Sequence, residues 1–112
     1  MKPLVDLPQR HMQTLLALLA EHTPQAQVWA FGSRVNGTAH EGSDLDVVVR
    51  NPADLKQSTE HLFELKEAIQ ESALPMLVEL HDWAHLPAAF HTEISRQYSV
   101  LQEPLDTAKR VR

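Results

Sequence analysis

Two rhythms of apolar and polar residues run along this chain. In residues 8–22, Met12, Leu15, Leu16 and Leu19 recur at i, i+3, i+4 and i+7. That spacing predicts an amphipathic helix, with Pro8 in its first turn and Thr23-Pro24 as its stop. Leu18 lies off the stripe and widens the apolar face. The rhythm then shortens. Residues 27–31 and 44–50 are apolar runs of strand length, the first ending at Gly32-Ser33 and the second at Asn51-Pro52. A second helix is expected over 53–72. Leu55, Leu62, Leu65 and Ile69 form its inner stripe, and Lys56, Glu60, Glu64, Lys66, Glu67 and Glu71 keep the other faces wet. Leu74-Pro75 breaks it, and 77–83 reads as a third strand. A last helix starts at Pro87 and carries Phe90, Ile94 and Tyr98 at i, i+4 and i+8, although 98–102 also reads as a short extended ending. The tail over 104–112 is expected to be mobile.

A strand–helix–strand passage between the second and third strands implies a parallel pair joined by a right-handed crossover. The connection over 32–43 is too short and glycine-rich for a crossover helix, so the first two strands are expected to be antiparallel. The fold class is therefore α+β (α/β mixed): a small mixed sheet of about three strands flanked by helices. At 112 residues the chain makes one domain, 1–112, with its core in about 8–103. The net charge of −5 argues against broad binding to nucleic acid, and no sequence-specific contact with it is expected; Lys109, Arg110 and Arg112 make only a small basic tail. The chain has no cysteine, which removes disulfides and thiolate metal sites. Without a signal peptide or a membrane-length apolar run, a cytoplasmic location is expected.

Chemistry gathers where the first two strands meet. Gly32 permits close backbone approach or a positive φ, and Ser33 adds a hydroxyl and an N–H of the kind that holds phosphate. Asp44 and Asp46, two apart, point to one face, while Leu45, Val47 and Val49 point to the other. In 77–83, Val78, Leu80 and Asp82 share a face and Glu79 and His81 take the opposite one. Matching apolar to apolar places Glu79, not Asp82, beside Asp44 and Asp46. Carboxylates so crowded repel unless a cation lies between them, and an oxygen-only set suits Mg²⁺. His81 and His85 straddle a strand end with no third ligand for zinc. Trp29 and Trp83 read as core or interface anchors.

Gly32-Ser33, ten residues, and Asp44-x-Asp46 resemble the signature of the DNA polymerase β-type nucleotidyltransferases. Phe31-Gly32-Ser33-Arg34 and the short chain resemble the minimal nucleotidyltransferases, small antitoxin-type partners of helical HEPN proteins. The likeness runs from about residue 28 to 103. It implies a polymerase β-like fold and a Mg²⁺-dependent transfer of AMP from ATP, with two metal ions possible. Asp44, Asp46 and Glu79 would be the catalytic and metal-binding residues, and Gly32, Ser33, Arg34 and Ser43 the nucleotide-binding ones. The implied acceptor is a tyrosine on a cognate HEPN-type toxin, bound in a hetero-oligomer. Val78-Glu79-x-x-Asp82-Trp83 departs from the Val-Asp-x-x-Asp-Trp common in such chains, and the extra methylene moves the carboxylate by ~1.5 Å, enough to cost rate. Two other readings stay open: a module that neutralises or scaffolds a helical partner by contact alone, and a transferase acting on a small molecule. Leu18, Phe63 and Trp83 are the candidate exposed contacts for a partner.

Overall fold

Val28 to Phe31 and Val47 to Val49 are buried without interruption, so both central strands are covered on both faces. That is why these segments read as continuous apolar runs rather than alternations. The computed structural model describes residues 5–104. Its elements in order are α1 (Gln9–His22), β1 (Gln27–Phe31), α2 (Ser33–Asn36), β2 (Leu45–Arg50), α3 (Leu62–Gln70), β3 (Val78–Asp82), a 3₁₀ turn (Trp83–His85), α4 (Ala88–Arg96) and β4 (Tyr98–Gln102). The strands form one mixed sheet in the order β3-β2-β1-β4. As expected, β1 pairs antiparallel with β2, and β2 pairs parallel with β3. The fold is α+β.

Each face of the sheet carries its own core. On one, Val28, Ala30, Leu45, Val47 and Val49 meet Leu15 and Leu19 of α1 and Leu65 and Ile69 of α3. On the other, Trp29, Phe31 and Val48 meet Trp83 and Ile94. Trp29 is the hub of this second core. Tyr98 stacks on it at 3.8 Å, Trp83 meets it edge-on at 5.6 Å, and the Arg50 guanidinium sits 4.0 Å over its ring. Such cation–π contacts let a charged side chain close an aromatic core.

Three expectations are corrected here. The second helix begins at Leu62 rather than 53, because side chains compete for the backbone before it. Ala53 N–H donates to Asn51 Oδ1 (3.1 Å), and Lys56 N–H donates to Asp54 Oδ1 (3.1 Å). Leu55 is left in that loop, 40% exposed. Tyr98 does not continue the last helix, which ends at Arg96; it opens a fourth strand where about three were expected. Trp83 lies in the 3₁₀ turn and is buried, with His91 stacked on it at 3.9 Å. Of the candidate partner contacts, Trp83 is therefore interior and Leu18 half-buried against the first core. Phe63 alone of the three is open, at 68%. Among the described residues no helix is long and apolar enough to cross a membrane. The expected tail lies outside the described residues after Pro104.

Neighbours on α3 test this burial. Leu65→Ala should destabilise the domain by about 2–5 kcal/mol in urea titrations, because it empties a fully buried position. Phe63→Ala should stay within about 0.5 kcal/mol of the unsubstituted protein.

Candidate active site

The register of the sheet builds the site. Phe31, the last residue of β1, pairs with Asp46 of β2, and Asp46 pairs in turn with Glu79 of β3. Directly paired residues point to the same face. Glu79 and Asp46 thus lie side by side on the face away from Leu45, Val47 and Val49, as strand parity requires. Asp44 precedes β2 on the same side, and its charge acts on Asp46. Asp82 is elsewhere: it accepts a hydrogen bond from the Ser58 hydroxyl in the loop before α3.

Gly32 follows Phe31 at φ 82° and ψ −156°, a region that side chains scarcely tolerate. A Cβ there would stand 2.5 Å from Asp46 Oδ2. The turn must be glycine because its backbone passes against the carboxylate. Ser33 opens α2. Val35 and Asn36 N–H both donate to Gly32 O (2.9 and 3.0 Å), whereas the Ser33 and Arg34 amides precede any intrahelical acceptor. The Ser33 hydroxyl has no hydrogen-bond partner among the described residues, so hydroxyl and amides stand available beside Asp46.

The side chains of Arg34 and Ser43, anticipated as nucleotide-binding, are engaged with the protein's own backbone. Arg34 is buried, and its guanidinium donates to Ser43 O (2.8 and 3.0 Å), Asp6 O (2.7 Å) and Glu41 O (3.2 Å). Those carbonyls use its donors to clamp the loop that delivers Asp44. The Ser43 hydroxyl oxygen accepts from His40 N–H (2.9 Å) and closes the same loop. A sequence shows the arginine but not the three backbone carbonyls that converge on it.

Electrostatics single out Asp46. Burial pushes its carboxyl above the ordinary aspartate value, His81 opposes this, and the Glu79 and Asp44 carboxylates push it further up. His81 Nε2 lies 3.9 Å from Asp46 Oδ1, within ion-pair reach if protonated. Among the described residues no three His, Asp or Glu side chains converge as a preformed metal site. The donor chemistry nonetheless fits a hard divalent cation: the carboxylates are oxygen-only, and their mutual repulsion is already felt at Asp46. Asp44, Asp46 and Glu79 could hold such an ion together with substrate phosphates.

Sequence reasoning missed the wall beside the site. Phe90 of α4 stands against Phe31 (6.2 Å between centroids) and His81 (6.0 Å). Its helical spacing marks it as packing, and only the docking of α4 shows it bordering a cleft of about 370 Å³ next to Gly32.

Comparisons with known proteins show the family. Residues 12–101 match the family model for a nucleotidyltransferase domain. The chain is 36% identical over 108 residues to a Haemophilus influenzae protein named probable protein adenylyltransferase MntA, covering 95% of this chain and 91% of that one. A chain in a solved structure described as the crystal structure of the toxin-antitoxin with AMP-PNP superposes with a TM-score of 0.66. That match covers 82% of this chain and 73% of the other, at 24% identity, and is a likeness of fold.

Two outcomes follow for stability. Gly32→Ala should cost about 1–3 kcal/mol in urea titrations, since the φ is forbidding and the Cβ meets Asp46. Asp46→Asn should act oppositely without divalent cations. A carboxyl whose folded pKa is raised favours folding below its unfolded pKa, and that contribution is lost as pH rises through the folded value. The ionised Asp46 therefore opposes folding at neutral pH. Asp46→Asn should melt above the unsubstituted protein at pH 7 in EDTA, the gap closing as pH falls below the ordinary aspartate range.

Proposed function

The chain belongs to the nucleotidyltransferase-domain family, and from that premise we propose that it moves AMP from ATP onto a tyrosine of a cognate helical protein of the HEPN type. In this reading it works in the cytoplasm with Mg²⁺ as an antitoxin. The observation that carries the reading is the row Phe31–Asp46–Glu79 across three strands, with Gly32 and Ser33 turned against its middle member. A phosphate-holding turn and a carboxylate cluster are thereby brought to one spot by strand pairing alone.

The residues divide the work. The Ser33 hydroxyl and the free amides of Ser33 and Arg34 hold donor phosphates beside Asp46. Asp44, Asp46 and Glu79 would hold Mg²⁺, which when bound neutralises the charge developing on the phosphate oxygens. A tyrosine oxygen forms a bond to the α-phosphorus as the bond to the bridging oxygen breaks and pyrophosphate leaves. Glu79 is placed to take the tyrosine proton on its carboxylate. It lies on β3, at the edge of the sheet, so an acceptor carried by a second protein can reach it. Glutamate in place of the shorter aspartate supports a second reading, in which the chain restrains its partner by contact and transfers slowly or not at all.

Co-purification with the product of a neighbouring gene, followed by ATP, Mg²⁺ and intact-mass measurement, tests both. The expected result is a hetero-oligomer whose second chain gains the mass of one or more AMP groups. Asp44→Asn and Asp46→Asn should abolish the gain, and Glu79→Gln should slow it at least about tenfold. Asp82→Asn should lower stability and leave the rate near that of the unsubstituted protein, because Asp82 bonds Ser58 away from the site. Association without mass gain would favour the contact-only module. Labelling of a small hydroxylated compound in its place would make the chain a small-molecule transferase.

A further inference from the structure

We propose that the cleft between α2 and α4 seats the adenine nucleoside of the donor triphosphate, an assignment that rests on the transfer reaction proposed above. The cleft, about 370 Å³, is bordered by Phe31, Gly32 and Asn36 on one side and by Phe90, Glu93 and Gln97 on the other. Of the described residues, neither Glu79 nor His81 lines it. It opens from the phosphate turn, so it belongs to the donor half of the site, and the acceptor half is the free β3 edge.

Its surfaces have the chemistry of a nucleoside's two parts. Phe90 is 36% exposed, and its ring meets those of Phe31 and His81 at steep interplanar angles of 86° and 63°. A nucleobase can stack on a partly exposed aromatic ring that lines a cleft. The polar groups stand at the rim. Asn36 Oδ1 accepts from both the N–H (3.0 Å) and the hydroxyl (2.6 Å) of Thr38, which leaves its amide NH₂ to donate to a ligand. Gln97 breaks from the helix with extended backbone, φ −155° and ψ 111°, and its side chain has no partner among the described residues. A primary amide can donate from its NH₂ and accept on its oxygen side by side, which is the complement of an adenine edge. Gln97 is thus the base-reading position, and Phe90 the stacking platform.

Inorganic tripolyphosphate separates this seat from the phosphate site, because it carries the phosphates without the nucleoside. Calorimetric binding of ATP, CTP and tripolyphosphate, each with Mg²⁺, should be compared across variants. Phe90→Ala should weaken ATP about tenfold or more and leave tripolyphosphate within about twofold, with Phe90→Trp recovering ATP. Gln97→Ala should narrow the preference for ATP over CTP. Equal weakening of ATP and tripolyphosphate by Phe90→Ala, no weakening of either, or no recovery with Phe90→Trp would overturn the seat. So would an unchanged ATP-to-CTP ratio in Gln97→Ala. Failure of the transfer reading looks different: Ser33→Ala and Asp46→Asn would then leave all three ligands bound as before.

Discussion

The pairing of Phe31 with Asp46 across β1 and β2 is the constraint on which the rest of the molecule depends. It brings the end of one buried strand against the start of the next, so the backbone leaving β1 must pass the Asp46 carboxylate. Only a residue without a side chain can follow Phe31, and Gly32 does so at positive φ. The same pairing puts Ser33 beside the carboxylate and sends residues 37–44 out as a loop that must return to β2. Arg34 holds that loop in place through part-buried hydrogen bonds to its carbonyls, so placing Asp44 occupies an arginine that would otherwise be free.

Charge and aromatic packing meet on one face of the sheet. Asp46 sits two residues from fully buried Val48, in a row that continues to Glu79 on one side and Phe31 on the other. Partial burial and two neighbouring carboxylates make its ionised form costly, and His81 offsets only part of that. The fold carries this unfavourable group because the remainder of the face is well held by Trp29, Trp83, Tyr98 and the Arg50 guanidinium. A site whose empty state is electrostatically strained is one that a bound cation and phosphates would relieve. The chain belongs to the nucleotidyltransferase-domain family, and in the function proposed above that strain lies where the transfer takes place.

The two halves of the site have different exposure. In the proposed reading the donor side is the cleft between α2 and α4, whereas the acceptor side is the sheet edge at β3. On that reading the domain builds a pocket for one substrate and leaves the other to be presented by a second protein. Phe63, 68% exposed on α3, is the one suspected contact that the fold leaves free for a second protein.

The sequence by itself determined three of the four strands, the directions in which those three pair and the carboxylates that share a face. Strand side chains alternate with a period of two, so Leu45, Val47 and Val49 settle where Asp46 points, and Val78 and Leu80 settle where Glu79 does. Gly32 was legible for a related reason, since a glycine between an apolar run and a serine marks a backbone position with no room. What depends on partners distant in sequence was not legible. The start of α3 was decided by Asn51 and Asp54 capturing backbone N–H groups, and Tyr98 left its helical stripe because Trp29 offered it a stack. Arg34 became a loop clamp once three carbonyls from two segments converged on it, and Phe90 became a cleft wall once α4 docked beside Gly32. Periodicity records which way a side chain points along its own element, and only the packed chain decides what it meets there.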